Sequence, residues 1–381
     1  MKKIYLLTFV FLLGIINTYA QDDLNPITTA APFLLIAPDA RAGGLADMGV
    51  ATSADQSSQH YNAAKNAFAN SEWQIGINYT PWLANLTSDI SLTSLFVTNR
   101  INDRSAWSSS LTYFSLGSID LTDELGISLG SENPNEFAFD GSYAMKLSEN
   151  YSMAVGLRFI HSDLAIRVDN SDIQTVNTFS VDISGFYQSD EENYGNFNGK
   201  WRAGFNISNV GPKVELVVGG EENFIPTNLK LGGGFDFILD DVNTITANIE
   251  FNKLLVPTPP IVDSETGEII AGKDDNVTFF KGMFQSFGDA PRGFEEELEE
   301  VTWAVSAEYL YNQAFAVRAG YFHESPNKGD RQYFTVGAGF RFRSSSLDFS
   351  YLINASDVNN PLESTLRFSL AINLGDVYAY F

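Results

Sequence analysis

Few side chains in this sequence have the chemistry of a catalytic or metal-binding site. Histidine, the usual general base, occurs three times in 381 residues, at His60, His161 and His323, and cysteine is absent. No G-x-S-x-G motif, which would mark an activated serine nucleophile, is present. The sequence therefore predicts no catalytic residue, no cofactor and no metal site, and we expect a protein that is not an enzyme.

Three polar or glycine-rich stretches are candidates for ion or phosphate sites by composition, but they lack the spacing that such sites need. The glycines at 232–234 lack the G-x-G-x-x-G spacing and the following helix of a phosphate loop. The acidic stretch at 274–276 lacks EF-hand spacing, and the glutamate-rich run at 295–300 simply precedes a strand. We interpret them as small residues inside a strand, a charged loop and a solvated loop end, respectively.

Composition narrows the class of protein. Apolar residues make up 44% of the chain, aromatic residues 13% and charged residues only 18%. This apolar content can offset chain entropy, which excludes intrinsic disorder. The formal net charge of −24 disfavours binding to nucleic acid, which needs clustered positive charge. A mean hydropathy of −0.08 excludes a polytopic helical membrane protein.

The first twenty residues are predicted to be a signal peptide. Lys2 and Lys3 give it a positive start, 4–16 is apolar, and Thr18-Tyr19-Ala20 resembles a cleavage site. The apolar run is shorter than the roughly 20 residues that a membrane-spanning helix needs. We therefore expect residues 1–20 to be removed and the mature protein to be exported.

Beyond residue 70, apolar and polar residues alternate with a period of two. In one run, Leu366, Phe368 and Leu370 alternate with Arg367 and Ser369. This pattern is typical of strands with one apolar and one polar face, and about 14 such runs are long enough to cross a bilayer as tilted strands. The predicted strands span residues 71–82, 90–100, 105–117, 137–147, 151–162, 175–188, 199–210, 226–238, 244–255, 301–311, 314–325, 332–343, 346–354 and 364–376.

The connections between these runs mostly alternate in length. Short ones such as 101–104 and 239–243 are followed by longer ones such as 118–136 and 256–300. Outer-membrane barrels have this arrangement, with short periplasmic turns and long external loops. Residues 71–381 are therefore predicted to form an all-β, antiparallel transmembrane barrel in the bacterial outer membrane. Because the strand number is even, we expect both termini in the periplasm.

Two further features favour a barrel over a soluble sandwich. Charged residues of both signs, such as Arg158 and Asp182, lie mid-strand on the polar face, where a wet lumen would let them pair. Aromatic residues such as Tyr79 and Tyr321 lie near strand ends, as an interfacial girdle requires. Residues 21–70 lack strand periodicity and cannot lie in lipid with unpaired backbone groups. We expect this segment to plug the lumen or to lie in the periplasm, and we favour a plug.

The connection at 256–300 is far longer than a typical loop, and such loops are usually functional or disordered. Within it, Phe280, Met283, Phe284 and Phe287 follow the spacing of one face of a short helix. An apolar stripe on an external loop needs a cover. Either the loop folds onto its own barrel mouth or it docks a partner, and we predict these four residues as partner-binding residues.

Seven short motifs lie in order along the mature chain: APDARAGG (37–44), YNAAK (61–65), YTPWL (79–83), YFSLG (113–117), IHSDLA (160–165), ISNVGPK (207–213) and FIPTNLKLG (224–232). With these motifs the chain resembles the PorV family of the type IX protein secretion system, which belongs with PorQ to the wider FadL-like barrels, and the resemblance covers essentially all of the mature chain. The stretch at 61–65 departs from the wider superfamily, in which Asn-Pro-Ala is usual, because Ala63 stands where proline is expected.

The resemblance implies a fold and a set of partners. PorV-like proteins are 14-stranded barrels that cover the lateral opening of a giant translocon barrel, SprA (also called Sov). They collect cargo proteins by a C-terminal signal domain. They then carry the cargo to an attachment complex that contains PorU, PorQ and PorZ. Outer-membrane lipid is a further expected partner, and nucleic acid is not.

Two other functions stay open from the residues. A FadL-like passive transporter of hydrophobic small molecules would use the lumen and the N-terminal plug as its path. An enzyme acting on lipopolysaccharide would need a nucleophile and a base at the membrane interface, and His161 and His323 are the residues to test.

Overall fold

The computed structural model describes residues 24–83, 87, 89–123, 125–164, 173–356 and 365–377. Residues 1–20, predicted to be a signal peptide, lie outside this range. Within it, fourteen long strands dominate the chain. They are β1 Ser71–Pro81, β2 Ile90–Arg100, β3 Ser105–Leu116, β4 Asn135–Lys146, β5 Tyr151–Asp163, β6 Val176–Gln188, β7 Asn198–Val210, β8 Asn228–Ile238, β9 Asn243–Leu254, β10 Thr302–Tyr311, β11 Phe315–His323, β12 Gln332–Phe342, β13 Ser345–Asn354 and β14 Leu366–Val377.

These strands close into a barrel. Each pairs antiparallel with the next along the chain, and β14 pairs with β1 from Ser71↔Val377 to Tyr79↔Phe368. The prediction of a 14-stranded antiparallel barrel is confirmed, and every predicted strand boundary lies within two residues of the observed one. Closure leaves no unpaired sheet edge, which is what allows strands to cross a bilayer.

The two faces of the wall follow the alternation in the sequence. On β14, Phe368 and Leu370 are exposed on the outside of the barrel, whereas Arg367 and Ser369 are buried inside. The same pattern recurs around the wall, so the outer surface is apolar and the inner surface polar. Lipid outside and a polar interior explain why the usual burial order of a soluble protein is inverted.

The barrel has a short-turn end and a long-loop end. Turns such as 101–104, 239–242 and 343–344 join strands at the short-turn end, where β1 begins and β14 ends. The long-loop end carries three small hairpins: Ile119–Thr122 with Ser128–Glu132, Val214–Glu215 with Glu222–Asn223, and Ile261–Val262 with Ile269–Ala271. A short strand, Glu192–Asn193, pairs with β7 at the short-turn end. The helices are α1 Ala40–Gly43, α2 Ser58–Tyr61, α3 Phe279–Gln285 and α4 Phe294–Glu299, with 3₁₀ turns at Pro32–Leu35 and Ala63–Phe68.

Residues 24–70, here called the N-terminal segment, run through the lumen from end to end. At the long-loop end the Asn25 N–H donates to the carbonyl of Asn327, 3.3 Å away. At the short-turn end Arg100 donates to the carbonyl of Ala69 at 2.6 Å. In between, the segment hydrogen-bonds to inward-facing side chains on strands all round the wall: Ser108, Ser152, Ser184, Glu250, Thr335 and Ser369.

Apolar contacts anchor the N-terminal segment at both ends. Phe33 stacks on Phe114 near the long-loop end, with ring centroids 6.3 Å apart. Phe68 meets Phe186 edge-on near the short-turn end, at 5.5 Å. The segment thus has an apolar contact at each end and polar contacts in the middle, which matches the polar inner wall of the barrel.

Glycine in the wall makes room for this segment. A Cβ at Gly204 of β7 would lie 2.2 Å from the carbonyl oxygen of Val50, and one at Gly232 of β8 would lie 2.5 Å from Val50 Cγ1. Any larger side chain would collide with the segment at these points. The glycines at 232–234 therefore lie inside a strand, as the sequence indicated, and Gly232 and Gly234 allow close packing in the lumen.

The two ends of the described chain lie at opposite ends of the barrel. Asn25 is at the long-loop end, and Val377, opposite Ser71, is at the short-turn end. The start of β1 and the end of β14 lie together at the short-turn end, whereas the N-terminal segment crosses the lumen before β1 begins. No helix among the described residues is long and apolar enough to span a membrane.

Candidate functional site

The long loop between β9 and β10, residues 255–301, presents an apolar surface on the helix α3. Gly282 lies on the buried face of α3, where an added Cβ would be 2.7 Å from the Phe224 ring and 3.1 Å from Pro257. Positions two residues away point to the opposite side of a helix. Phe280 and Phe284 therefore face away from the protein and are 58% and 77% exposed.

The four predicted partner-binding residues do not all share this face. Phe280 and Phe284 lie together on the exposed side of α3, and Met283 is half-buried. Phe287 is exposed but lies beyond the end of α3 at Gln285, next to the outer wall of the barrel. The predicted helix is present, but it ends before the last of the four residues.

The helix α4 adds exposed apolar residues that the sequence reading missed. Phe294 and Leu298 are 77% and 58% exposed. They are spaced i, i+4 on one helix face, which is a signal that the sequence does contain. This apolar pair was overlooked because the glutamates between the two residues suggested a solvated loop.

Three glutamates of that acidic run are not solvated, although Glu295 is exposed. Glu296, Glu297 and Glu300 are buried, and they form ion pairs with two lysines from other elements. Lys253 of β9 binds Glu297 at 3.1 Å and Glu300 at 2.5 Å. Lys328 of the β11–β12 loop binds Glu296 at 2.6 Å and Glu300 at 3.1 Å. We call these five residues the loop clasp, because they fix α4 to the barrel.

The loop clasp also reaches the N-terminal segment. The Asn25 side chain donates to Glu296 at 3.3 Å and to the carbonyl of Pro259 at 3.1 Å, and Lys328 donates to the carbonyl of Asn25. One cluster therefore joins the long loop, the β11–β12 loop and the start of the described chain. Movement of the N-terminal segment would disturb the base of the long loop.

The carboxyl group of Asp289, next to the loop clasp, lies in an environment that disfavours its ionised form. Burial raises the pKa of Asp289 to about 6, and the neighbouring carboxylates of Glu297 and Glu300 add to the effect. The Asp289 N–H donates to Glu297 at 2.7 Å, and its side chain accepts from the Thr258 N–H at 3.3 Å. Ionised Asp289 therefore opposes the folded loop near neutral pH.

The lumen contains the other concentration of charge. Arg41 of the N-terminal segment binds Asp55 at 2.6 Å and Glu308 of β10 at 3.1 Å. Glu308 also binds Arg318 of β11 at 2.5 Å, and Arg318 binds Asp348 of β13 at 2.7 Å. Each of these five charged side chains thus has an opposite charge in contact. This network ties the segment to three strands of the wall.

The histidines occupy structural surroundings. His60 lies in the lumen against the ring of Tyr61, with centroids 4.7 Å apart. His161 bonds Asn177 at a strand end, and His323 stacks on Trp303 at 5.1 Å. Among the described residues, no group of three or more His, Cys, Asp or Glu side chains is arranged to hold a metal ion.

The family of the chain follows from a direct match. The family described as type IX secretion system protein PorV matches residues 19–261, more than half of the chain. The chain belongs to the PorV family. It is therefore an outer-membrane component of type IX secretion, as the sequence motifs indicated, and membership of this family suggests a non-enzymatic protein. The match ends before α3 and α4, so the apolar surface of the long loop lies outside the matched residues.

Solved structures support the fold. The TodX deltaS2S3 mutant monoaromatic hydrocarbon channel is 11% identical, with 88% of this chain and 99% of that chain covered and a TM-score of 0.52. The TodX deltaS2 mutant channel is 10% identical, covers 90% and 100%, and has the same TM-score of 0.52. A FadL homologue of Pseudomonas aeruginosa is 13% identical, covers 92% and 99%, and has a TM-score of 0.42. No curated protein matches the sequence. The PorV family, predicted above, is confirmed, and the barrel fold resembles that of the TodX channels.

Proposed function

We propose that this protein binds the SprA (Sov) translocon barrel and the C-terminal signal domains of cargo proteins. It then delivers the cargo to the attachment complex that contains PorU, PorQ and PorZ. The observation that carries the proposal is the exposed apolar surface of α3, formed by Phe280 and Phe284. Of the other two predicted partner-binding residues, Met283 is half-buried and Phe287 lies beyond the end of the helix. Recognition in this scheme takes place on the outside of the barrel and needs no catalytic group.

The proposal gives the barrel an orientation. The long-loop end faces the cell exterior, where cargo emerges, and the short-turn end faces the periplasm. The N-terminal segment acts as a plug, because its lumenal part is buried and bonded to strands all round the wall. Because the lumen is filled, partners bind at the outer loops.

The α3 surface has the properties of a binding anchor. Aromatic side chains held in a fixed position contribute most of the energy at protein interfaces, because little side-chain entropy is lost on binding. The close contact of Gly282 with Phe224 and Pro257 fixes the helix from behind. Phe280 and Phe284 are therefore presented on a rigid base and without a cover.

The test is a double substitution, Phe280→Ser with Phe284→Ser, in the native organism. We expect the barrel to assemble normally while cargo with a C-terminal signal domain stays bound at the translocon instead of reaching the surface. Cell-surface cargo is measured by protease shaving and mass spectrometry, and barrel folding by heat-dependent mobility in gels.

The matched control is Ile269→Ser with Ile270→Ser, which removes exposed apolar residues from the hairpin of the same loop. Cargo release should be normal in this control. Normal release in the phenylalanine variant, or equal loss in both variants, would overturn the assignment of recognition to α3.

Passive transport of a hydrophobic small molecule is the second candidate, and the likeness of fold to TodX channels favours it. It requires a path that the N-terminal segment occupies in this structure. Uptake of a radiolabelled alkane or monoaromatic hydrocarbon by cells with and without the protein decides between the two. Loss of uptake with normal secretion in the deletion strain would favour transport.

A further inference from the structure

A cavity lies on the outside of the barrel, beneath the long loop. Its volume is about 270 Å³, and its lining is almost wholly apolar. Leu231 of β8 and Phe251 of β9 form its wall, and they are directly opposite each other across the two strands. Leu229, Asn252 and Lys253 of the same two strands also line it, and the loop contributes Phe287, Phe294, Glu297, Leu298 and Val301.

The wall of this cavity is part of the lipid-facing surface. Lys230, one residue from Leu231, points into the lumen, where its ammonium lies 5.5 Å from the ring of Tyr61. Leu231 and Phe251 therefore point outward, and both are exposed. The cavity is continuous with the apolar exterior that contacts the hydrocarbon of the membrane.

A row of aromatic residues places the cavity at the edge of the membrane. Phe251 pairs with Trp303 of β10, whose ring lies 5.6 Å from that of Tyr321, and Tyr321 lies 4.9 Å from Phe334. Such rows mark the interface between lipid and water in outer-membrane barrels. The cavity thus opens at the depth where acyl chains meet their headgroups.

The loop clasp keeps the cavity open. Strand alternation puts Lys253 on the same outer face as Phe251, and its ion pairs with Glu297 and Glu300 hold α4 against the wall. Because Lys253 and Glu297 neutralise each other, the lining offers no unpaired charge from this pair. An apolar cavity of this kind does not retain water and is filled by an apolar ligand.

We propose that this cavity binds a hydrocarbon chain of an outer-membrane lipid. The chain enters sideways from the membrane and lies between the β8–β9 wall and the apolar side of α4. It fills the space below Phe294 and Leu298. The inference does not rest on the proposed secretion function, because it uses neither Phe280 nor Phe284.

The test uses the full-length protein in vesicles that contain phosphatidylethanolamine with a diazirine in its acyl chain. After irradiation, mass spectrometry maps the lipid adducts. We expect strong labelling of the 287–301 peptide and a clear reduction of that labelling in Leu231→Trp, whose larger indole takes up part of the cavity. Phe349 and Phe368, an exposed ring pair on β13 and β14, give the reference level for ordinary lipid contact.

A second variant protects the test against misfolding. Leu298→Gln lies on an exposed loop helix and leaves the strands untouched, and it should also reduce the labelling to the reference level. Labelling of the wild-type cavity no stronger than at Phe349 and Phe368 would overturn the proposal. So would labelling that persists in both variants, or a photoreactive residue at Phe294 that captures a protein instead of lipid in native membranes.

Discussion

The lumen and the long loop both bury charge, but they leave opposite surfaces free. In the lumen, Arg41 and Arg318 share Glu308, and the ion pairs join the N-terminal segment to the wall. In the loop clasp, Lys253 and Lys328 share Glu300, and the ion pairs hold a helix whose apolar side remains exposed. Ion pairs therefore hold the N-terminal segment inside the lumen, and ion pairs also hold a helix with an exposed apolar side on the outside of the barrel.

The comparison teaches where function can be located. A buried ion pair whose partners are all satisfied contributes little net stability, but breaking it is costly. The lumen network thus holds the N-terminal segment firmly against the wall, and its charges are occupied by one another. In the loop, the charges of the loop clasp are buried and Phe280 and Phe284 are exposed, and this is why we propose that binding takes place at the loop.

The largest effect is expected from breaking the lumen network. Glu308→Ala removes the carboxylate shared by Arg41 and Arg318, and it should lower the free energy of unfolding by about 3–5 kcal/mol. Urea unfolding of the refolded barrel in lipid vesicles measures this change. The control is Glu299→Ala, whose partner Arg292 has a side chain 35% exposed, and it should cost at most about 1 kcal/mol. Similar losses for both variants would mean that the lumen is not the more rigid region.

The second-largest loss of stability is expected where the barrel wall contacts the N-terminal segment most closely. Gly204→Ala puts a methyl group where only 2.2 Å separates the Cβ position from the Val50 carbonyl oxygen. The strand or the segment must shift, and we expect a loss of about 1–3 kcal/mol in unfolding free energy. Gly233→Ala is the matched control, because its nearest neighbour would be 3.9 Å away. Protease cleavage within residues 24–70 should rise in the first variant only.

The number of strands, their boundaries and their faces could be predicted because one face of each strand contacts lipid and the other contacts polar groups of the lumen. Lipid on one side and polar groups on the other impose a period of two, which is a local pattern in the sequence. For example, β2 was predicted at 90–100 and is observed as Ile90–Arg100. Each boundary needed only the residues next to it.

The path of the N-terminal segment and the state of the acidic run were not predictable in the same way. Burial of Glu300 depends on Lys253 and Lys328, which are distant in sequence and become neighbours only when the barrel closes. The predicted four-residue stripe failed at Phe287 for a related reason, because α3 ends at Gln285 and the chain then turns along the barrel wall. Long-range contacts decided these points.

A smaller and pH-dependent effect is expected at Asp289. Its folded pKa of about 6 lies above the ordinary value of 3.8, so the ionised form destabilises the folded loop. This penalty is fully present above pH 6 and is relieved as the pH falls from about 6 to about 4, with an upper limit of about 3 kcal/mol. Asp289→Asn should remove the penalty and protect loop amides at pH 7.5.

Hydrogen exchange of residues 255–301 at pH 5.5 and 7.5, corrected for intrinsic rates, measures this difference. The wild-type loop should be better protected at the lower pH, whereas Asp289→Asn should show equal protection at both. Greater protection of the wild-type loop at pH 7.5 than at pH 5.5 would contradict the assigned direction.

Replacing Phe280 and Phe284 is expected to have the smallest effect on stability and the largest effect on cargo release. Phe280 and Phe284 are exposed on α3 and lie on the side away from Gly282, so replacing both with Ser should change the free energy of unfolding by no more than about 0.5 kcal/mol. Urea unfolding of the double variant beside Glu308→Ala checks this. A loss comparable to that of Glu308→Ala would show that the two rings support the loop, and the exposed surface would then be structural. An unchanged unfolding curve together with blocked cargo release would separate the two regions, with the lumen maintaining the fold and the loop recognising partners.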